Sequence, residues 1–378
     1  MSIAPLVTRG IRAMAAYHVP RPEGVRAKLD ANESPHPLPP AAAEALGREL
    51  ATVALHRYPE ADPVELRAHL AAALGVAPGA LSFGNGSDEL LALLCAAFGE
   101  PRPGKRRATV LYPDPSFVVY RIAALGHGLD PIEVPLDDDM QLDFDLVDDA
   151  MTGAAPNLAF FALPNNPTGT LWAPERVAEL AAKHPDTIVV ADEAYLDYGG
   201  RTLLPRRPEL PNLVILRTLS KVGMAGLRVG FLIAADAIVR EVEKVRPPYN
   251  LGALNQRAAL WMLRNQGDWL RERAADVVRE RERLAAALAN VPGVRVFPSE
   301  ANLILFRIGK AGDGRAGAAW KAMAARGVLV RNFDRPGPLS GCLRVTPGTP
   351  DENDLFLAEL RPRRSPRPFG PRTPASLF

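Results

Sequence analysis

The chain has 378 residues, which is too long for one small core and predicts a large domain together with a smaller one. Hydrophobic residues make up 47% and charged residues 23%, as in ordinary globular enzymes, and no apolar run approaches the roughly 20 residues that span a bilayer. The net charge of +2 includes five arginines in residues 361–378, so the rest is mildly acidic and gives no reason to expect nucleic-acid or membrane binding.

The cysteines and histidines do not indicate a metal site. Cys95 and Cys342 each lie in an apolar run, which favours small buried hydrophobic side chains over a disulfide or a metal pair. The six histidines have no ligand spacing, so no metal is predicted. Because the N-terminal residues lack the apolar core of a signal peptide, we expect a cytoplasmic protein.

Helical and strand patterns alternate after an irregular, proline-rich start. Residues 63–74 and 87–98 have apolar residues at helical spacing, and a further helix is predicted for 175–183, after Pro174. Other short runs are continuously apolar, which predicts strands buried on both faces, as in a parallel sheet covered by helices. These runs begin at Ala108, Asn157, Thr187, Asn212 and Val229.

The last third of the chain predicts a second, smaller α/β unit. A long helical stretch, residues 254–288, contains Gly267, where we expect it to bend or break. Apolar runs that include the sequences NLILFRI, VLVRNF and CLRVT then alternate with a helix around Trp320.

These patterns predict the division of the chain into domains. A large domain is expected over residues 40–250, and a linking helix with a small domain over 251–360. Residues 1–39 are expected to form an N-terminal arm and part of the small domain. The tail, residues 361–378, is rich in Pro and Arg and is predicted to be disordered.

Polar motifs follow the predicted strands, and ligands of open α/β sheets bind at the carboxyl ends of strands. The first motif is GNGSDE, residues 84–89, a glycine-rich turn that leads into a helix near Ser87. Backbone N–H groups and the helix dipole favour an anion there, although an ordinary N-cap also explains Ser and Asp. The motif opens like a dinucleotide-binding fingerprint, but Glu89 stands where that pattern requires a third Gly.

The second and third motifs are LPNNPTGT, residues 163–170, and ADEAYLDY, residues 191–198. The former is a tight polar turn that is more elaborate than a turn requires. In the latter, Asp192 ends a buried strand, where a carboxylate is costly unless it meets a cation. A protonated pyridine nitrogen would provide one, and so would an arginine or a helix N-terminus.

The fourth motif is RTLSKVGMAGLRVG, residues 217–230. Lys221 follows an apolar strand, and a desolvated lysine is a good amine for Schiff-base chemistry. With Thr218 and Ser220, Arg228 is placed to close a phosphate site opposite Ser87. Together the motifs supply a phosphate cradle, an anion for a ring nitrogen, hydrogen-bond donors and an amine, which is what a site for pyridoxal 5'-phosphate (PLP) needs.

The motifs NNPTG, ADEAY and TLSK with GLRVG resemble those of the fold-type-I, PLP-dependent aminotransferases. RYPE at residues 57–60, VLVRNF and SGCLRVTPGT resemble more narrowly the histidinol-phosphate aminotransferase family. The resemblance runs from about residue 17 to residue 360. It implies an α/β fold with a large domain, built on a mostly parallel sheet between helices, and a smaller α/β domain.

The resemblance also implies roles for individual residues at the cofactor. Lys221 would bind PLP as a Schiff base and move the proton, Asp192 would pair with the pyridine nitrogen, and Tyr195 and Asn166 would bind the ring's phenolic oxygen. Phe117 would stack on the ring. The phosphate would be held by Ser87, Asp88, Thr218, Ser220 and Arg228.

Further residues are implied in substrate binding and in a shared active site. Arg344 would bind a substrate anion, assisted by Arg331, Tyr17 and Asn166. Tyr58 would reach the cofactor phosphate of the neighbouring subunit in a homodimer. The loop of residues 222–227 is one residue shorter than in several relatives, but it keeps its glycines, so we expect the site to survive.

The implied reaction is amino transfer from L-histidinol phosphate to 2-oxoglutarate, in histidine biosynthesis. An aromatic amino-acid aminotransferase or a threonine-phosphate decarboxylase would use the same cofactor residues and would differ around Tyr17, Arg331 and Arg344. A non-catalytic regulator would need an added DNA-binding domain, for which the chain has no room. A nicotinamide-dependent dehydrogenase is disfavoured by Glu89 and by Lys221.

Overall fold

The computed structural model describes residues 3–12, 14–15 and 23–360. Tyr17 and the tail that is predicted to be disordered lie outside the described residues. The helices of the described chain are α1 Arg9–Arg12, α2 Pro40–Leu50, α3 Val64–Leu74, α4 Ser87–Ala97, α5 Val119–Gly126, α6 Phe144–Ala154, α7 Pro174–Lys183, α8 Asp236–Val245, α9 Ala253–Asn265, α10 Gly267–Ala289, α11 Arg315–Ala324 and α12 Pro350–Leu360.

The strands follow the same alternation along the chain. They are β1 Ala27–Leu29, β2 Leu81–Asn85, β3 Thr109–Asp114, β4 Asp130–Pro135, β5 Leu158–Ala162, β6 Ile188–Asp192, β7 Leu213–Thr218, β8 Val229–Ile233, β9 Val294–Val296, β10 Ile304–Ile308, β11 Val328–Asn332 and β12 Cys342–Val345. The strands predicted from the apolar runs are thereby confirmed.

The larger sheet of the described chain has the strand order β2-β8-β7-β6-β5-β3-β4. Strands β3 to β7 run parallel, whereas β8 is antiparallel to both of its neighbours, β7 and β2. The prediction of a mostly parallel sheet is therefore confirmed, with β8 as the reversed strand.

Both faces of this sheet are covered, which explains the continuous apolarity of its strands. Neighbouring residues of β5 point to opposite faces, so that Phe161 packs in one apolar core and Phe160 in the other. The first core is closed by α3, α6, α7 and α9, and the second by α4, α5 and α8. Both phenylalanines are fully buried, each contributing about 1.5–3 kcal/mol of transfer free energy.

The smaller sheet has the order β1-β11-β12-β10-β9, and β1 runs parallel to β11, with Ala27 opposite Val328. Residues 27–29 therefore pair with a strand 301 residues later in the chain. Helices α10, α11 and α12 cover this sheet through a core that includes Leu284, Met323 and Phe356. The domain boundaries at residues 40 and 250 stay a prediction.

The long helical stretch is interrupted next to Gly267, where a bend or break was predicted. Helix α9 ends at Asn265 and α10 begins at Gly267, with Gln266 between them outside the helical conformation. Cys95 and Cys342 are both buried and form no disulfide, as expected. No helix in the described part of the chain is long and apolar enough to cross a membrane.

Candidate active site

A cavity lies at the carboxyl ends of β5, β6 and β7, against the first turn of α4. The order of the strands brings three motifs together here, because parallel neighbours end at the same edge of the sheet. All the residues predicted to bind the cofactor line this cavity, except Tyr58. The lining residues are Ser87, Asp88, Phe117, Ala162, Asn166, Asp192, Ala194, Tyr195, Thr218, Ser220, Lys221 and Arg228.

Asp192 is a buried carboxylate at the end of β6, with 3% of its surface exposed. Its Oδ2 accepts a hydrogen bond from the Tyr120 hydroxyl at 2.7 Å, and its Oδ1 accepts one from the Ala194 N–H at 3.1 Å. Burial raises the pKa of Asp192 to about 6, and these two donors oppose the rise. Among the residues that the structure describes, no lysine or arginine forms a salt bridge with it, so the donor set fits a protonated ring nitrogen.

Lys221 lies in the turn Ser220–Met224 that follows β7. Its Nζ is 5.5 Å from the centre of the Tyr195 ring, and both residues line the cavity. The backbone carbonyl of Lys221 accepts a hydrogen bond from the Tyr198 hydroxyl, and Arg281 of α10 donates in turn to the Tyr198 carbonyl at 2.8 Å. These contacts fix the backbone of the turn, while the amine stays at the cavity.

An anion cradle forms where Arg228 meets the residues after β7. Arg228 Nη1 is 3.4 Å from Ser220 Oγ, and its Nη2 is 3.3 Å from Asp88 Oδ2. The Thr218 hydroxyl donates to Ser220 Oγ at 2.9 Å. The shortened loop reaches this arrangement through a left-handed backbone at Arg228, with φ of 51°. Arg228 therefore arrives at the cavity despite the missing residue.

The first turn of α4 forms the other side of the cradle. Ser87 begins the helix, and Gly86 precedes it with a φ of +79°. A Cβ at Gly86 would collide with the guanidinium nitrogen of Arg228, and one at Gly230 would overlap the backbone nitrogen of Ser87. Free N–H groups and the helix dipole favour an anion at this point. With the guanidinium opposite, the cradle fits a phosphate group.

Tyr195 is held by a residue that was not predicted for the site, Asn32. The Asn32 amide donates to the Tyr195 hydroxyl oxygen at 2.8 Å, and Asn32 is 2% exposed. Asn32 is fixed in turn by two residues. Its N–H donates to Thr346 Oγ1 at 2.9 Å, and its carbonyl accepts from the Asn302 amide at 3.0 Å. No periodic pattern marks the segment around Asn32, and its partners lie far along the chain.

Asn166 and Arg344 connect the cavity to the smaller sheet. Arg344 Nη1 donates to Asn166 Oδ1 at 2.6 Å, and its Nη2 donates to the Asp30 carbonyl at 2.9 Å. Its guanidinium carbon lies 5.4 Å from the centre of the Phe333 ring. Arg331 is the residue directly opposite Arg344 on the neighbouring strand, and it lines an adjoining cavity together with Phe333.

Tyr58 stands apart from the cavity within this chain. Its side chain is 82% exposed and stacks on Tyr249, with ring centres 4.8 Å apart and planes inclined by 18°. Phe117, in contrast, lines the cavity and meets the Tyr120 ring edge to face at 5.7 Å. Tyr120 was not among the predicted site residues, because a tyrosine inside an apolar helix is typical of a core position.

Comparison with known proteins assigns the family. The family model aminotransferase class I and II matches residues 26–360. Histidinol-phosphate aminotransferase 1 of Burkholderia lata is 41% identical over 94% of this chain and 97% of its own. Histidinol-phosphate aminotransferase of Paracidovorax citrulli is 44% identical over 93% and 95%.

A solved structure agrees with these relatives. The crystal structure of histidinol-phosphate aminotransferase from Sinorhizobium meliloti in complex with pyridoxal-5'-phosphate matches with a TM-score of 0.81 and 27% identity, over 94% of this chain and 96% of that one. The fold predicted from the motifs is thereby confirmed. The chain belongs to the class I and II aminotransferases and, within them, to the histidinol-phosphate aminotransferase family.

Proposed function

We propose that this protein is a PLP-dependent transaminase that converts L-histidinol phosphate and 2-oxoglutarate to imidazole acetol phosphate and L-glutamate. The observation that carries the proposal is one cavity that joins an amine, a buried carboxylate and an anion cradle, next to a pair of opposed arginines. Relatives of this name cover nearly the whole chain, which supports the choice of donor. The reaction belongs to histidine biosynthesis.

The cofactor is held by residues with separate tasks. Arg228, Ser220 and the first turn of α4 bind its phosphate, because a guanidinium and helix N–H groups both favour an anion. Phe117 would cover one face of the ring and needs only its aromatic face to do so. When bound, PLP supplies an electron sink for the carbon that loses a proton and carries the amino group between the two half-reactions.

Asp192 would keep a proton on the ring nitrogen, since a buried carboxylate is most favourable when it faces a cation. Tyr195 would donate from its hydroxyl to the ring oxygen, and the amide of Asn32 holds that hydroxyl in place. Lys221 holds the cofactor in the resting enzyme. Its Nζ, as a free amine, would take the proton from the amino-bearing carbon of the donor, and in the second half-reaction it would supply the proton to the carbon that gains the amino group.

Donor specificity arises at Arg344 and Arg331. A single guanidinium is enough for an α-carboxylate, which it binds through two hydrogen bonds. A second guanidinium on the adjacent strand suits a phosphate, whose charge is about −1.5 to −2 at neutral pH. Asn166 contributes by holding Arg344 from the cavity side. Tyr17 is proposed to assist, although it lies outside the described residues.

We further propose that the enzyme works in the cytoplasm as a homodimer with shared active sites. Support comes from Tyr58, which is 82% exposed and far from the cavity of its own chain. In a dimer its hydroxyl would reach the cofactor phosphate of the partner. The large domain would comprise residues 40–250, and the small domain residues 251–360 with part of the N-terminal arm.

A donor screen tests the proposed activity. The purified enzyme, loaded with PLP and 2-oxoglutarate, is offered L-histidinol phosphate, L-phenylalanine, L-tyrosine and L-threonine O-3-phosphate in separate reactions. Glutamate formation should be fastest with histidinol phosphate. Faster turnover of phenylalanine would make the enzyme an aromatic aminotransferase, and release of carbon dioxide from the threonine phosphate would make it a decarboxylase.

A further inference from the structure

Tyr120 is a fully buried residue of α5 that contacts the site only through other residues. Its hydroxyl donates to Asp192 Oδ2 at 2.7 Å, across 72 positions of sequence. Its ring meets Phe117 edge to face, with centres 5.7 Å apart and planes at 89°. One tyrosine therefore contacts both the carboxylate proposed for the ring nitrogen and the aromatic side chain proposed to cover the ring.

Burying a hydroxyl in this position is unfavourable unless the hydroxyl forms a hydrogen bond. Burying a phenol without a hydrogen-bond partner destabilises the folded protein, and an apolar phenylalanine would fill the same space. Phe160, 5.2 Å away between ring centres, shows that this core accepts phenylalanine. The hydroxyl thus stabilises one specific state of its partner, the ionised form of Asp192.

We propose that Tyr120 is a positioning residue of the transaminase: its hydroxyl holds the Asp192 carboxylate ionised and facing the cavity, and its ring supports Phe117. The proposal rests on the proposed use of PLP at this site. It does not depend on which amino donor the enzyme prefers.

The charges around Asp192 make the phenol important. Asp88 of α4 lies nearby and raises the pKa of Asp192, as does burial, while Lys221 after β7 lowers it. Tyr120 is the strongest of the groups that oppose burial, and the Ala194 N–H is the next. The pKa of Tyr120 itself is raised well above its ordinary value by burial and by the neighbouring Asp192, Tyr195 and Asp88, so the hydroxyl keeps its proton and stays a donor.

Loss of the Tyr120 hydroxyl should therefore shift the proton between the ring nitrogen and Asp192 toward Asp192. A hydrogen bond to a charged group corresponds to a factor of roughly ten to a hundred in an ionisation constant. Without it, Asp192 would compete more strongly for the proton that it shares with the ring nitrogen. The ring would then spend more time unprotonated and would draw electrons less well.

The chain offers a matched control for this substitution. The Tyr112 hydroxyl donates to Glu133 Oε1 at 2.9 Å, and Tyr112 is 3% exposed. Its ring lies 6.0 Å from that of Tyr120. Tyr112→Phe therefore deletes a buried tyrosine hydroxyl bonded to a carboxylate in the same core, without touching Asp192.

The test compares holoenzymes that carry PLP labelled with ¹⁵N in the ring. In Tyr120→Phe, the ¹⁵N resonance should move toward that of an unprotonated pyridine, and kcat should fall by about tenfold or more. In Tyr112→Phe, the resonance and kcat should match the wild type. An unchanged resonance in Tyr120→Phe, or equal shifts in both variants, would overturn the proposal.

A double-mutant cycle keeps the inference testable if Tyr120→Phe also loosens packing. In an Asp192→Asn background, Tyr120→Phe should have little further effect on kcat, because the hydroxyl acts through the carboxylate. An undiminished loss in that background would contradict the inference. The ¹⁵N measurement needs no amino donor, so a wild-type enzyme that ignores histidinol phosphate would refute the donor assignment alone.

Discussion

Arg331 and Arg344 are directly opposite each other on the neighbouring antiparallel strands β11 and β12. Opposed residues of an antiparallel pair project from the same face of the sheet, and like charges in such positions destabilise it. The Asn166 amide oxygen and the Asp30 carbonyl accept hydrogen bonds from Arg344. We assign the donor's phosphate to this pair, because two neighbouring guanidinium groups suit an anion whose charge is about −1.5 to −2.

Arg331→Ala should impair the enzyme selectively with a phosphorylated donor. One charge-assisted hydrogen bond contributes roughly 1.5–3 kcal/mol, so kcat/KM for L-histidinol phosphate should fall by one to two orders of magnitude. L-histidinol, which lacks the phosphate, is the matched substrate and should be affected much less. Equal small losses with both donors would mean that Arg331 is only a surface arginine at this position.

Asp192 should make the PLP-free protein sensitive to pH. Because burial raises its pKa from 3.8 to about 6, folding favours the protonated acid. This contribution to stability is fully present below about pH 4 and is lost as the pH rises through about 6. Asp192→Asn should therefore raise the free energy of unfolding of the apoprotein at pH 7.5 by up to about 3 kcal/mol, with little effect at pH 4.

Urea unfolding of the apoprotein at the two pH values measures this difference. Asp138→Asn, in an exposed acidic turn, is the control and should change stability little at either pH. The same Asp192→Asn variant, loaded with PLP, should retain the cofactor and turn over severely slowly, since a neutral amide cannot stabilise a protonated ring. A normal rate would mean that Asp192 faces another group.

Gly86→Ala should weaken cofactor binding. Gly86 has a φ of +79°, which side chains disfavour, and an added Cβ would displace the Arg228 guanidinium from the cradle. The loss of one charge-assisted contact predicts a PLP dissociation constant raised by roughly tenfold or more. Gly47→Ala is the comparison: Gly47 lies inside α2, and a Cβ there meets nothing within 4 Å. If Gly86→Ala binds PLP normally, the cradle does not hold the phosphate.

Mixed dimers test the shared active site. When Lys221→Ala subunits exchange with Tyr58→Ala subunits, each hybrid should contain one site with both lesions and one intact site. Activity should therefore recover relative to either parent variant alone. Differently tagged chains verify that the subunits have exchanged. If activity does not recover after verified exchange, Tyr58 acts in its own chain or in no active site.

The sequence could predict residues that the structure brings to one cavity, because these residues lie at strand ends. Asp192, Asn166 and Lys221 each follow a buried apolar strand, and parallel pairing brings such ends to one edge of the sheet. Short polar motifs next to apolar runs are visible without knowing the strand order. The loop before Arg228 reaches the cavity through left-handed backbone at Gly223 and at Arg228, and only the first of these is a glycine.

Residues that act through another residue were not predicted. Tyr120 lies in an apolar helix, and its bond to Asp192 depends on how α5 packs against the sheet, which no local pattern encodes. Asn32 reaches Tyr195 only because β1 joins the smaller sheet, and a strand of three residues gives no periodic signal. The reversal of β8 was likewise not predictable, because composition does not specify strand direction.

A single half-reaction shows whether the enzyme transfers the amino group of L-histidinol phosphate to PLP held by Lys221. PLP-loaded enzyme is mixed with L-histidinol phosphate without any oxo acid, and the absorbance spectrum is followed as the cofactor converts to the pyridoxamine form. We predict complete conversion by the wild type, faster than with phenylalanine, and none by Lys221→Ala. An unchanged wild-type spectrum, or conversion by Lys221→Ala at the wild-type rate, would contradict the account.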